Sequence, residues 1–201
     1  MRMHQLQRGL VLWLSLALVT VTTIVTGVAI APTTAQMQLT EQSRVNINSF
    51  GPIQVGMTVA AAEKAAQMSL LVQSGQPRNT ACYYVVPSRT VRGVGFMVIN
   101  SRDEQPDKQQ DRIARIDVWS NSLVMTTSGA RIGDFESRLR TLYPEARVTP
   151  HDDIPGGRYF TIVPQAESDS NYRLIFETDG RRIVRFRAGQ LPEVNYPKGC
   201  T

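Results

Sequence analysis

Few residues in this chain are of a type and spacing that could do chemistry. His151 is followed by Asp152-Asp153, in a stretch that also holds Pro150, Pro155, Gly156 and Gly157. Nucleophilic catalysis needs a Ser or Cys beside a His that is oriented by an acid. Beyond residue 35 His151 is the only histidine, and its Pro/Gly-rich setting reads as a solvated loop. Cys82 and Cys200 are the only cysteines, and in an oxidising compartment an even pair forms a disulfide. Cys82 sits in an apolar run, which suits a structural role better than a reactive one. Together with one histidine the two cysteines supply too few ligands for zinc. Nothing marks out a carboxylate pair for glycosidic chemistry among the 17 acids. The segment Thr126-Thr127-Ser128-Gly129-Ala130-Arg131 is either an anion cradle or an ordinary polar turn before a helix. No catalytic residue, metal site or cofactor is therefore expected, and a small enzyme of unrecognised type is the remote alternative.

A different constellation is more specific. Residues 183–187 alternate, with Ile183, Arg185 and Arg187 on one side and Val184 and Phe186 on the other. An internal repeat, described below, sets Asp117 at the position of Arg185. Arg115, Asp117, Trp119, Arg185 and Arg187 are then expected on one face of a sheet. A tryptophan among arginines is the composition of a protein-interface hot spot; the structural alternative is that Trp119 covers the edge of the core.

The elements that must position these residues repeat. Shifting the sequence by 77 positions lays Val55-Gly56 on Ile132-Gly133, Tyr83 on Phe160, Val85 on Ile162, Val86 on Val163 and Pro87 on Pro164. The same shift lays Met97-Val98-Ile99 on Leu174-Ile175-Phe176. A nine-residue surplus in the polar stretch Ser101 to Asp111 then brings Ile116-Asp117-Val118 onto Val184-Arg185-Phe186; such an insertion is tolerated in a hairpin loop. Each copy opens on a glycine turn, with Thr58 or Asp134 as candidate N-cap. A helix follows, predicted over 59–68 and 135–143, the second stopping before Pro144. Three strands come next, predicted over 81–86, 94–99 and 113–119, and over 158–163, 172–178 and 183–187. Thr178-Asp179-Gly180-Arg181 is a hairpin turn with Asp-Gly at its centre. The expected fold is α+β: two tandem helix–β-meander repeats forming an antiparallel sheet with helices on one face. Leu139, Leu174, Phe176 and Phe186 should share its core with Met97, Ile99 and Val118.

The ends and the charge set the compartment. Arg2 and Arg8, the apolar run Gly9 to Val19 and the small residues Thr33-Thr34-Ala35 follow the order of a secretory signal. The competing interpretation is an uncleaved anchor, since 9–31 is long enough to cross a bilayer. Cleavage after Ala35 would remove 35 of 201 residues and leave 166; Lys+Arg falls from 22 to 20 against 17 acids, a net charge of +3. That mild charge, without a lysine cluster, excludes a nucleic-acid track. Residues 36–50 are polar and aperiodic and read as a flexible lead-in, 51–120 as repeat 1, 121–190 as repeat 2, and 191–201 as a C-terminal tail. The tail is too poor in apolar residues to dock alone and is expected to be pinned by Cys200 to Cys82.

A Gly56-Met57-Thr58 helix opening followed by a three-stranded meander and repeated in tandem resembles the β-lactamase inhibitory protein family. It also resembles the single-repeat lipoproteins of the outer-membrane assembly machine (the BamE type). The resemblance spans 51–188. The second copy departs from the motif with Gly133-Asp134-Phe135, and the cysteines depart from a disulfide within each repeat. The resemblance implies an exported protein-binding scaffold whose sheet face meets a partner, without implying that any β-lactamase is inhibited. The expected function is thus a periplasmic or secreted, non-catalytic module with a protein partner in the cell envelope or outside the cell. The alternative is an envelope-assembly or structural component near the cell wall or outer membrane. Membrane contact is expected only if the N-terminal segment is retained. Intact-mass analysis of protein from the native host should place the first residue near Gln36; a retained Met1 on a membrane-embedded chain would favour the anchor.

Overall fold

Eight strands pair in the order β4-β5-β6-β7-β12-β11-β10-β9, every neighbour antiparallel. They are β4 (Leu70–Val72), β5 (Cys82–Pro87), β6 (Val94–Asn100), β7 (Asp111–Val118), β9 (Arg147–Pro150), β10 (Arg158–Ile162), β11 (Tyr172–Thr178) and β12 (Ile183–Gln190). A second, small sheet has the order β3-β2-β1-β8, built from β1 (Arg44–Val45), β2 (Ser49–Phe50), β3 (Ile53–Gln54) and β8 (Met125–Thr126), with β1 and β8 parallel. Helices α1 (Val59–Ala66) and α2 (Glu136–Leu142) complete a mixed α/β fold of mostly antiparallel strands. This computed structural model describes residues 38–75, 81–89, 91–100, 111–119 and 121–200. The expected signal at 1–35 and the surplus segment 101–110 lie outside the described residues.

The helices begin and pack for different reasons. Thr58 caps α1, its Oγ1 accepting from the Ala61 N–H at 3.2 Å. Ala62 and Ala66 face inward, and their small side chains let the helix lie close on the sheet. Asp134 does not cap α2. The N-cap is Phe135, with no side-chain hydrogen bond, while Asp134 accepts from the Arg131 N–H at 3.0 Å and pairs with Arg138 at 3.1 Å. Phe135 is held instead beneath two guanidiniums, Arg182 at 3.8 Å and Arg181 at 5.5 Å from its ring centre.

One apolar cluster takes residues from both helices and both sheets, among them Leu39, Val45, Phe50, Ala62, Phe96, Val118, Leu139, Leu174, Phe176 and Phe186. The lead-in is accordingly not flexible over its described part. Leu39, Val45 and Phe50 are buried, and two of them belong to strands. Each meander has four strands, not three: Leu70–Val72 and Arg147–Pro150 form the outermost strands and are too short to carry a period. In β6 the core-facing residues are Val94, Phe96 and Val98. Met97 is buried outside that cluster and Ile99 is half-buried, so the 77-residue shift is out by one along this strand.

A disulfide joins Cys82 of β5 to Cys200, with Cα atoms 5.4 Å apart and a sequence separation of 118. Such bonds persist in oxidising compartments, and no helix among the described residues is long and apolar enough to cross a membrane. The chain-entropy model assigns a loop of this size roughly 4–5 kcal/mol, an upper figure. Cys200→Ser should therefore lower unfolding stability by a few kcal/mol at most, read from the denaturant midpoint. Non-reducing peptide mapping that found both thiols unlinked would contradict the pairing.

A candidate binding site beneath the C-terminal tail

The centre of the large sheet is the β7–β12 pair, in which Val118 faces Phe186, Asp117 faces Arg187, Ile116 faces Ala188 and Arg115 faces Gly189. Strand alternation sends Ile116, Val118, Phe186 and Ala188 into the apolar cluster and the charged residues to the opposite side. That side is not open. Arg115, Asp117 and Arg187 retain only 2%, 7% and 5% of their surface, because the segment after β12 crosses over them. The sequence expectation of an exposed sheet face is corrected here: the five residues share a face, but a polar tail covers much of it.

Two charge networks lie side by side under this cover. In the first, Asp117 Oδ2 accepts from Arg115 Nε at 2.8 Å and from the Tyr84 hydroxyl at 3.1 Å, while Arg115 Nη2 donates to Tyr84 Oη at 2.6 Å. In the second, Glu177 of β11 accepts from Arg187 Nη1, Arg185 Nε and, at 2.9 Å, His151 Nε2. The backbone N–H groups of Asp153 and Ile154 both donate to His151 Nδ1, so the ring proton sits on Nε2 and is donated to Glu177. His151 also stacks on Tyr159, ring centres 4.4 Å apart. It is buried, not solvated as expected, and both nitrogens are engaged.

The tail completes both networks. Arg115 Nη1 donates to the carbonyls of Glu193 at 2.9 Å and Tyr196 at 2.6 Å, and Arg187 Nε to that of Val194 at 2.6 Å. Val194 is fully buried against Tyr159 and Ile175. Gly199 (φ +73°) lies where a Cβ would sit 2.8 Å from Tyr84 Oη, and Cys200 closes the disulfide just beyond it.

The electrostatics follow from this packing. Burial, reinforced by the Asp117 charge, pushes the Tyr84 phenol well above its ordinary range. Burial opposes the charge on Arg115, but Asp117 outweighs it and holds the guanidinium above its usual value. Burial alone would raise Glu177; the Arg187 charge and the hydrogen bonds from His151 and Arg185 outweigh it and hold the carboxyl below the usual range. Arg187, the most deeply placed guanidinium of that network, is lowered by burial.

Between the networks and the tail is a cleft of about 250 Å³. All five residues expected from the sequence line it, as do Tyr84, Glu177 and Lys198. Trp119 lies over Gly95, where a Cβ would come within 2.3 Å of the indole, and 6.0 Å from the Tyr84 ring. Arg185 keeps 41% of its side-chain surface. Tyr84 and Glu177 escaped the sequence reading, and His151 entered it only as a solvated loop residue. Glu177 lies opposite Arg185 because the loop spans residues 179–182 and a bulge follows Glu177, a register that a two-residue Asp179-Gly180 turn does not give; a Tyr in an apolar strand carried no signal either. Among the described residues no group of three or more His, Cys, Asp or Glu is placed to hold a metal. Comparison of the chain with family models, curated proteins and solved structures returns no match.

Glu177→Gln would leave Arg187 buried beside a neutral amide, and loss of one partner of a buried pair costs about 3–5 kcal/mol. Urea unfolding at neutral pH measures this directly. The pH dependence has a definite sign. The folded chain holds the Glu177 proton less readily than the unfolded chain, so this contribution is present above the ordinary value of 4.5 and is lost as the pH falls below it. The variant should lose that part of the acid slope; an unchanged slope would show that other carboxyls account for it.

Proposed function

We propose that this chain is an exported, non-catalytic binding module for a protein partner, and that it meets the partner at the cleft beside Trp119 and Arg185. The observation that carries the proposal is convergence. Five residues from two distant segments, with the composition of an interface, line one concavity in which the indole and one guanidinium stay accessible. A disulfide that suits an oxidising compartment and an N-terminus with the order of a secretory signal support export.

The scaffold we infer is two copies of one helix–meander unit, helices on a common face, as the resemblance to the inhibitory protein family implies. Several recurrences support this. The sheet order runs outward from β7–β12 through corresponding strands on both sides. Gly56 and Gly133 both have positive φ before a helix, and their N–H groups donate to Ile113 and Ile183 carbonyls. Arg112 and Arg182 donate to the carbonyls of Gly56 and Gly133, at 2.7 and 2.6 Å. Val118 and Phe186, matched by the proposed repeat, face each other across the central pair; with two such units the cleft would lie at their junction. Ala62, Ala66 and Leu139 enter the same apolar cluster, as helices on one face require.

Capture from the native envelope fraction tests the proposal. The exported protein should retain a specific protein partner, and a Trp119→Ala/Arg185→Ala variant with unchanged circular dichroism should lose it. Identical capture by both forms would refute the cleft as the contact.

A further inference from the structure

We infer that the cleft recognises a carboxylate, supplied by the partner's chain terminus or by a small free acid; this rests on the proposed binding role and specifies its chemistry. Four cations line the cleft, Arg115, Arg185, Arg187 and Lys198, against two carboxylates, Asp117 and Glu177. The site therefore carries an excess of two positive charges around a concavity. Both carboxylates are already committed, Asp117 to Arg115 and Tyr84, Glu177 to Arg185, Arg187 and His151.

The uncommitted donors belong to two side chains. Arg185 gives only its Nε to Glu177, leaving both Nη groups without a hydrogen-bond partner among the described residues. Lys198 has no ion pair among the described residues and sits on the cleft wall, two positions before the disulfide. A guanidinium edge matches the two oxygens of a carboxylate, and an ammonium beside it adds a point charge. A planar carboxylate presents its two oxygens to the one free guanidinium edge, whereas a phosphate would carry further oxygens toward Glu177 and Asp117. The volume admits one such group with a short stem, and Trp119 offers an apolar wall for the stem.

Trp119 also supplies the readout. The chain has two tryptophans, Trp13 and Trp119, so the full chain carrying Trp13→Phe reports from the cleft alone. Its emission should change saturably with propionate and with N-acetylated trialanine bearing a free C-terminus, and not with the C-terminal amide. Tighter binding of the peptide acid points to a protein terminus, and tighter binding of propionate points to a free acid. Arg185→Ala and Lys198→Ala should each weaken the response on the order of tenfold. The inference fails if neither acid alters the emission, if phosphate or chloride at equal ionic strength does as much, or if both variants bind unchanged. Envelope capture that still depends on Trp119 while carboxylates have no effect would overturn the carboxylate and leave the binding role standing. Capture lost altogether would overturn the binding role.

Discussion

Glu177 has no exposed surface, yet three side chains donate to it. A carboxylate so placed is tolerated only with its charge matched and its lone pairs filled. The matching group, Arg187, is itself nearly buried and has donors beyond those Glu177 can use. A carbonyl of the tail takes one of them, and two more tail carbonyls serve Arg115. The path of residues 193–196 is thus dictated by unsatisfied guanidinium N–H groups more than by apolar attraction. Val194 adds a small apolar anchor at the same place.

The large sheet consequently has two faces under different rules. One is a conventional apolar core shared with the helices and the small sheet, and it supplies most of the stability through buried area. The other is a charged layer in which each hydrogen bond fixes geometry. Replacing one member strands its partner, so substitutions there cost more than their contact area suggests. Tyr84, Arg115 and Arg187 are in this way held by neighbours that cannot relax independently.

Much of the fold was legible in the sequence because its longer elements carry strong periods. The strand now bounded by Tyr172 and Thr178 was read residue for residue, and the Cys82–Cys200 pairing followed from there being two cysteines. The strands of two to four residues were missed, since they contain too few positions to alternate. The packing of Leu39, Val45 and Phe50 was missed for the same reason, as isolated apolar residues in polar surroundings give no pattern. At the site, the parity of Arg115, Asp117, Arg185 and Arg187 was readable from alternation and the repeat. Their burial was not, because it depends on a tail whose docking comes from backbone carbonyls, and carbonyls leave no trace in residue type.

The outermost strands of the large sheet bear on how the molecule behaves in a crowd. β4 has three residues and β9 has four, against seven or eight in the strands at the centre. An edge presents unpaired N–H and C=O groups to any passing extended chain, and its capacity to template a further strand grows with its length. β9 also ends on Pro150, which has no N–H to offer. The sheet tapers toward both margins, and each margin can hold only a few ladder bonds with a foreign strand. Short margins of this kind limit edge-to-edge growth of an eight-stranded sheet, and among the described residues no further strand pairs along either side.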